Sequence, residues 1–519
     1  MSARLFRPTR GDLLATFGSA VFFFFAFPPY TLVGPVFVCL VPLAVAIARA
    51  ADGGDSAWRG ARLGMWFSIF AYGSTLYWLI TALLIFTNLA ILGYLGSLFV
   101  ITVTIAAAGM ALFAARRVTR WPMAALLPFV WVASEMAFNH MSDLAFPWLP
   151  LGLGVTHTPV LAQIADISGV HGVSFWIALT NGLVADMWLA RAHRRANLMR
   201  GAAIVAMVCA VAGYGEWRLH TVRLRPLGSV GVVQPNIAEN QKWDSASISH
   251  VIDIMAKGTR QALDHDHPQL MAWPEVTLND YLGAHPEWSD SLRALTAGSG
   301  VPLLLGFLDV TWHSRTDYDV YNAAMLIGAD GRATQPVYHK RRLVPIVERV
   351  PFLNPKWFGW AGQYFGSFGI GDGPVVYSVP FGKFGVLICY ESIFPGESRQ
   401  YRNDGADFLI NITNDAWFGH SNAPYEHYSH LVLRAIENRT AIVRSANTGI
   451  SGWIDPLGRI RAATPIFEPA TRTYALETSD VRTPYDALGD FVGLLSVAVT
   501  LALAGRDWWQ RRDERRRAA

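Results

Sequence analysis

The chain has 519 residues, of which 52% are hydrophobic and 16% charged, and its formal net charge is +4. This composition is typical of a membrane protein rather than of a soluble or disordered one. Basic residues cluster beside apolar segments instead of along one soluble face, so nucleic-acid binding is not expected, and 3 cysteines do not make a disulfide framework.

Long apolar runs occupy the first two fifths of the chain and return near its end. A helix that crosses a bilayer needs about 20 mostly apolar residues. By this criterion we predict eight spans, at 12–28, 31–49, 63–86, 88–114, 122–138, 166–189, 199–216 and 487–505. The first seven form a membrane domain over 1–217, and the eighth leads into a basic tail over 506–519.

The arginines indicate how these spans are oriented. Alternate connections are rich in arginine, at Arg4 to Arg10, at Arg59 and Arg62, at 116–120, at 191–200 and in the tail "RDWWQRRDERRR". The intervening connections, "PPYT", "FTN" and the long one from 138 to 165, contain no Lys or Arg. Positive charge is retained on the cytoplasmic side. We therefore expect both termini inside the cell and the soluble domain outside.

One carboxylate lies within a predicted span. Glu135, in "VWVASEMAF", is near the outer end of the fifth. A charge at that depth is costly and commonly faces a polar cavity or a functional site. An interfacial side chain that reaches the water is the alternative, and both interpretations stay open.

Residues 228–482 follow a different pattern. Short runs rich in β-branched residues, such as "QLMAWPEV", "FGVLICYES" and "DFLINITND", alternate with helix-like segments. Continuous apolar runs predict strands that are buried on both faces. The interleaved helices predict an α/β domain with α-β-β-α layers.

Three of these segments end in residues that can do chemistry: Glu275, Lys340 and Cys389. A thiol could attack a carbonyl, a carboxylate could take its proton and a cation could stabilise the oxyanion. Cys389 is the only cysteine outside the apolar segments, since Cys39 and Cys209 lie within them. Taken singly, each residue has a structural alternative, as an inert buried thiol or as half of an ion pair.

The histidines of "HSNAPYEHYSH" (420–430) are dense but lack the spacing of a metal motif. We expect His420, His427 and His430 to lie on a loop and on a helix surface. Neither a metal nor a cofactor is predicted.

Four motifs, "WPEVTL", "YHKRRLVP", "GVLICYESIFP" and "NITNDAWFG", resemble in order and spacing the Glu-Lys-Cys signatures of the nitrilase superfamily. Together with the spans and with "FPWLPLGLGVTHTPVLAQIADISGVHGVSFW" (146–176), they are similar to the apolipoprotein N-acyltransferase family. The resemblance covers nearly the whole chain. It implies a bundle of eight transmembrane helices in the bacterial inner membrane and a nitrilase-like sandwich on its periplasmic face.

The resemblance also implies roles for individual residues. Cys389 would be the nucleophile, Glu275 the general base and Lys340 the cation that stabilises the oxyanion. The backbone N–H of Tyr390 would complete the oxyanion hole. Supporting or substrate-binding roles fall to Glu348, Glu391, Trp243 and Trp417, beside the membrane carboxylate Glu135.

Two departures from the family pattern stand out. Ile346 and Val347 replace the usual Phe-Gly before Glu348, and the loss of a glycine restricts the backbone there. The arginine that often follows the fifth-span glutamate is absent, and "EMAFNH" offers only His140.

The function implied is a two-step acyl transfer. Cys389 would take an acyl chain from a phospholipid and pass it to the α-amine of a diacylglyceryl-cysteine at the N-terminus of a lipoprotein. The enzyme is expected to be a monomer. A membrane-tethered amidase acting on a small C–N substrate and a non-catalytic scaffold are the alternatives. The aromatic and glycine-rich segment 352–372 is predicted to form a lid over the site.

Overall fold

The computed structural model describes residues 8–85, 90–239, 248–315, 317–352 and 368–518. The chain folds as two compact units. One comprises Met1–His220 with Ala487–Ala519, and the other comprises Thr221–Asp486.

The first unit is helical. Its helices before the second unit are α1 (Arg10–Phe24), α2 (Val41–Asp52), α3 (Ala57–Thr75), α4 (Trp78–Leu84), α5 (Ala90–Thr119), α6 (Met123–Asn139), α7 (Pro159–Ala162), α8 (Ala165–Leu189) and α9 (Arg194–Thr221).

Within the described residues, five segments are long and apolar enough to cross a membrane: Gly34–Asp52, Ala90–Thr119, Ala165–Leu189, Arg194–Thr221 and Phe491–Arg517. The predicted span at 63–86 corresponds to α3 and α4, which are bent by 58° where they meet. If this bent pair is one span, the number of candidate spans is six. The other two predicted spans correspond to shorter helices, α1 with 15 residues and α6 with 17. Several membrane helices are therefore present, but eight spans are not established.

Small residues allow two of these helices to pack closely. A Cβ at Gly60 would lie 2.5 Å from the backbone oxygen of Gly109, and one at Gly64 would lie 2.4 Å from that of Ile105. Only glycine fits at such a crossing. The "GARLG" spacing of α3 is thus the small-xxx-small pattern by which membrane helices pack backbone to backbone.

The second unit consists of two sheets with helices. Its strands are β1 (Arg225–Gln234), β2 (Leu270–Ala272), β3 (Leu278–Tyr281), β4 (Leu303–Trp312), β5 (Tyr318–Ile327), β6 (Tyr338–His339), β7 (Val376–Val379), β8 (Gly382–Ile388), β9 (Phe408–Thr413), β10 (Ala441–Ala446), β11 (Gly452–Ile454), β12 (Ile460–Ala463) and β13 (Ala470–Thr478). Its helices are α10 (Ile248–His265), α11 (Pro286–Ser299), α12 (Pro395–Asn403) and α13 (Ala423–Asn438), and the chain continues through α14 (Pro484–Leu488) to α15 (Phe491–Ala518).

The first sheet has the order β13-β1-β2-β4-β5-β6, with β3 also paired to β4, and the second has the order β12-β11-β10-β9-β8-β7. The central strands β1, β2 and β4 of the first sheet run parallel, as do β8, β9 and β10 of the second. Every residue of β9 and β10 is buried, as the continuous apolar runs predicted. The first and last strands of the unit, β1 and β13, are antiparallel neighbours from Arg225↔Thr478 to Gln234↔Ala470.

The core of the first sheet forms against α10 and α11. Helix α10 buries Val251 and Met255 against Trp273, which follows β2, and Leu305 of β4, and Leu292 of α11 joins the same cluster. Helices α12 and α13 pack on the second sheet. The α/β sandwich expected for the soluble part is therefore confirmed.

Candidate active site

The candidate nucleophile lies where β8 ends. Cys389 is the first residue of a short 3₁₀ turn, Cys389–Ile393, and its side chain is buried, with 7% of the residue exposed. Its φ of 49° is in the left-handed region, which costs a non-glycine residue on the order of 1–3 kcal/mol. Such a conformation persists only where the surroundings hold it, and it turns the thiol off the end of the strand.

Glu275 follows β2 and is buried. The backbone of β4 approaches it closely, since a Cβ at Gly306 would lie 2.4 Å from Pro274 O and 3.0 Å from Glu275 Cα. Its carboxylate is held from two sides. The backbone N–H of Asn414 donates to Oε2 over 2.9 Å, and Nδ2 of Asn322 donates to Oε1 over 2.7 Å.

Lys340 follows β6, and its ammonium is enclosed by carboxylates. Nζ lies 2.8 Å from Glu348 Oε1 and 3.2 Å from Glu275 Oε1. Burial acts to lower the pKa of this lysine, but the two carboxylates outweigh burial and the pKa is raised. Lys340 is therefore a permanent cation beside Glu275.

The thiol of Cys389 is protonated at rest. Burial is the main cause that raises its pKa, Glu275 adds to the increase, and Lys340 opposes it only in part. These interactions bring the three residues predicted from the sequence into one electrostatic cluster. A buried neutral thiol needs a base in order to attack, and Glu275 is a carboxylate whose charge acts on this thiol.

The altered loop before Glu348 still delivers that glutamate to the cluster. Oε1 accepts from Lys340, and Oε2 accepts from the backbone N–H of Val344 over 2.7 Å. The turn is made at Ile346, whose φ is 72°, and not at Val347, the position where the family has glycine. The backbone strain lies at Ile346, and the Glu348 carboxylate contacts Lys340.

Glu391 connects the nucleophile turn to the lysine loop. Oε2 accepts from the N–H of Ile388 over 2.7 Å, while Oε1 accepts from Tyr338 Oη and from the N–H of Arg341, also over 2.7 Å. Burial and Glu397 raise the pKa of this carboxyl to about 7. Glu391 thus positions the strand ends that carry Cys389 and Lys340. The ring of Tyr390 is buried against Phe394, with 5.2 Å between centroids.

The structure also describes the predicted site residues Trp417 and Glu135. Trp417 is half-buried in the 3₁₀ turn Asp415–Phe418 that follows β9. Glu135 belongs to the helical unit, is buried in α6, and accepts from Trp131 Nε1 over 2.9 Å and from the N–H of Leu151 over 2.8 Å. Trp243 and the predicted lid residues 353–367 lie outside the described residues.

Asn322 was missed by sequence reasoning. It is buried in β5 and donates to both carboxylates, over 2.7 Å to Glu275 Oε1 and 3.1 Å to Glu348 Oε1. Its own backbone oxygen accepts from the N–H of Lys340 over 2.8 Å. The only signal in the sequence was an amide within the apolar run "YNAAMLIG".

The expectation that His427 and His430 lie on a helix surface was wrong. Both are buried, and in α13 nearly every side chain is buried. His427 lies behind the nucleophile, 3.0 Å from Asp415 Oδ1 and 3.1 Å from the backbone oxygen of Cys389. Within the part of the chain that the structure describes, no group of three His, Cys, Asp or Glu side chains could hold a metal ion.

Comparison with known proteins covers both units. Residues 229–483 match the carbon-nitrogen hydrolase family, and residues 19–183 match the apolipoprotein N-acyltransferase N-terminal domain. The chain is 30% identical over 512 residues to the apolipoprotein N-acyltransferase of Geobacter metallireducens, with 96% of each chain covered. It is 31% identical over 413 residues to that of Chlorobaculum tepidum, with 73% of this chain and 76% of the relative covered.

Among solved structures, an amidase from Nesterenkonia sp. is 18% identical with a TM-score of 0.37, covering 50% of this chain and 93% of the amidase. The sequence relatives, with both family matches, extend over nearly the whole chain. The chain therefore belongs to the apolipoprotein N-acyltransferase family and is an acyltransferase with a nitrilase-type domain.

Proposed function

We propose that this enzyme moves a fatty acyl chain from a phospholipid, through a thioester on Cys389, to the α-amine of the N-terminal S-diacylglyceryl-cysteine of lipoproteins. The observation that carries the proposal is the buried cluster of Glu275, Lys340 and Glu348 at the thiol. It occurs in a chain that is similar over 96% of its length to an apolipoprotein N-acyltransferase.

In the first half-reaction, Cys389 Sγ attacks the ester carbonyl of the phospholipid as Glu275 takes the thiol proton. A carbon–sulfur bond forms and the carbonyl oxygen becomes an oxyanion, which Lys340 and the N–H of Tyr390 stabilise. The ester C–O bond then breaks. Glu275 returns its proton to the departing oxygen, which leaves as the hydroxyl of a lysophospholipid.

In the second half-reaction, the α-amine of the lipoprotein attacks the thioester. The carbon–nitrogen bond forms, and Glu275 takes one proton from the amine and passes it to the sulfur as the C–S bond breaks. An α-amine has an ordinary pKa of about 8, so a neutral fraction is available without special activation. The products are an N-acylated lipoprotein and the free thiol of Cys389.

Lipid substrates explain why a nitrilase-type domain has membrane helices. Removing an acyl chain into water costs about 0.8 kcal/mol per CH₂, which is prohibitive for a whole chain. Both substrates are held by the membrane, so the enzyme must work at its surface. A soluble amide would need no such arrangement, and the amidase alternative is less supported for this reason.

We also propose the placement predicted from the sequence. The membrane domain is 1–217 with seven spans, the periplasmic catalytic domain is 228–482, and an eighth span over 487–505 returns a basic tail (506–519) to the cytoplasm. The alternation of arginine-rich and arginine-free connections supports this orientation. The protein would act as a monomer in the bacterial inner membrane.

Intact-protein mass spectrometry tests the reaction. The purified enzyme is incubated with phospholipid vesicles, beside the Cys389→Ser variant. The expected result is a hydroxylamine-labile adduct of one fatty-acyl mass in the parent and none in the variant. Addition of a diacylglyceryl-cysteine peptide should discharge the adduct and add the same mass to the peptide. A folded parent with a free thiol and no adduct would overturn the proposal.

A further inference from the structure

A buried polar cluster lies behind the nucleophile and takes no part in the reaction described above. It consists of Asp415, His427 and Arg444, which are all fully buried. Arg444 Nη2 contacts Asp415 Oδ2, and it lies 3.1 Å from His427 Nδ1. Burying three ionisable groups is costly unless they hold each other in place, and these do.

This cluster reaches the nucleophile through its backbone. The carbonyl oxygen of Cys389 accepts a hydrogen bond from Ser392 Oγ over 2.8 Å and lies 3.1 Å from His427 Nε2, which is also 2.9 Å from Ser392 Oγ. A carbonyl oxygen can only accept, and the single hydroxyl hydrogen of Ser392 is donated to that oxygen. Nε2 must therefore carry the hydrogen that faces Cys389 O and Ser392 Oγ. Nδ1 then faces Asp415 and Arg444, which fix the ring.

The bound carbonyl shares a peptide group with a second functional atom. The C=O of Cys389 and the N–H of Tyr390 belong to one planar trans peptide, so they point in opposite directions. Donors on the carbonyl therefore determine where the N–H points. They also draw charge toward the oxygen, which makes the N–H a stronger donor.

We propose that His427, held by Asp415 and Arg444, is a positioning residue for the oxyanion hole. With Ser392, it fixes and polarises the Cys389–Tyr390 peptide so that the N–H of Tyr390 is aimed at the oxygen of the attacked carbonyl. The left-handed φ of Cys389 requires such a restraint, because a strained residue would otherwise relax. The inference rests on the proposed function and adds the origin of its oxyanion hole.

The test compares two reactions of the same thiol. Thioester formation from phospholipid passes through an oxyanion, whereas disulfide exchange with methyl methanethiosulfonate involves no carbonyl. Loss of a general structural support would slow both reactions. Loss of oxyanion-hole geometry should slow only the first.

In His427→Phe the ring volume is kept and the donor is lost. Single-turnover thioester formation should fall by roughly tenfold to a hundredfold, toward the effect typical of removing one oxyanion-hole donor. The rate of disulfide exchange, which forms no oxyanion, should stay at the parent's value. His427→Gln carries an amide N–H at the position of Nε2 and should recover most of the thioester rate. Tyr428→Phe, on the same helix with its hydroxyl 3.4 Å from Ala462 O, is the matched control and should behave as the parent.

If His427→Phe fails to fold, Ser392→Ala tests the same inference in its place. It removes the second donor to the same carbonyl and should lower thioester formation selectively. The inference is overturned if a folded His427→Phe or Ser392→Ala forms thioester at the parent's rate, if both reactions slow equally, or if Gln restores no more than Phe. A parent that forms no thioester would instead overturn the proposed function.

Discussion

At the residue scale, the reactivity of Cys389 depends on its neighbours and not on a low thiol pKa. The thiol is buried and its pKa is raised, so little thiolate exists before a substrate arrives. A low thiolate fraction protects this thiol from adventitious oxidation, because thiolate character governs that reaction. Proton removal must be coupled to attack.

The two glutamates of the cluster should therefore differ in their effect on rate. Glu275→Gln removes the base and should slow thioester formation by about 10²–10⁴-fold. Glu348→Gln leaves the base in place and removes one of two carboxylates from Lys340, so the loss should be closer to tenfold, on the order of one hydrogen bond to a charged group. Single-turnover acylation measures both. A Glu348→Gln variant slower than Glu275→Gln would contradict the assignment of the base.

Glu391 should make stability depend on pH. Its pKa is raised from an ordinary 4.5 to about 7 in the folded protein, so the folded state holds the proton to higher pH than the unfolded state does. The resulting stabilisation is complete below about pH 4.5 and is lost as pH rises through 7.

The thermal midpoint of the parent should therefore fall between pH 5 and pH 8 more steeply than that of Glu391→Gln, which cannot titrate. Both proteins are compared in the same detergent. Equal slopes for the two would show that Glu391 is already ionised at pH 5. At fixed pH the variant also loses an acceptor for Ile388 N–H or for Tyr338, so only the slopes are compared.

At the element scale, the loop that carries Glu348 departs from the family motif and places the Glu348 carboxylate 2.8 Å from Lys340 Nζ. Ile346 is 38% exposed and has a φ of 72°, so its side chain packs little and its backbone is strained. The loss of a glycine predicted a restricted backbone before Glu348, and the structure has a positive φ there, at Ile346.

Ile346→Gly should relieve this strain. We expect an increase in stability of about 1 kcal/mol, reduced by the greater entropy of glycine in the unfolded chain, and unchanged thioester formation. Val347→Gly is the matched control and should give no stabilisation, since Val347 does not have a positive φ. Thermal midpoints and single-turnover rates of both variants measure this. Stabilisation by Val347→Gly alone would place the strain at the family's position.

The sequence predicted those elements whose ends carry chemistry. Glu275, Lys340 and Cys389 each follow an apolar run, and strands of one sandwich bring such ends together. Asn322 could not be found in this way, since it meets Glu275 through pairing and packing of β4, β5 and β6 that no local pattern specifies. The prediction for His427 was wrong because nearly every side chain of α13 is buried, so a polar residue there does not mark a solvent face.

The membrane helices were predicted less well than the strands. Hydropathy locates apolar runs, but it predicts neither the break between α3 and α4 nor the residues at which a helix begins and ends. Those boundaries depend on backbone conformation and on capping side chains. Helix α1, for instance, begins at a capping box of Thr9 and Asp12 and ends after 15 residues. The apolar run predicted as the first span, 12–28, therefore extends past the end of the helix at Phe24.

At the scale of the whole molecule, the proposed orientation has a direct test. Glu287 is exposed in α11 of the catalytic unit, and Arg515 is exposed in the basic tail. In a background without Cys209 and Cys389, Glu287→Cys should react with a membrane-impermeant maleimide in intact cells. Arg515→Cys should react only after the cells are lysed. The reverse pattern would invert the topology, and labelling of both in intact cells would place the tail outside.

Because β1 pairs with β13, the two ends of the catalytic unit lie side by side. The chain enters along one strand and leaves along its antiparallel neighbour, so Arg225 and Thr478 lie opposite each other. A short turn could replace everything between them, and the flanking segments would not have to be moved to close the gap. By the same geometry, a single insertion of a gene for a water-soluble hydrolase into one loop of a membrane protein would suffice to create this architecture. An enzyme acquired in that way starts with its substrates already concentrated in two dimensions.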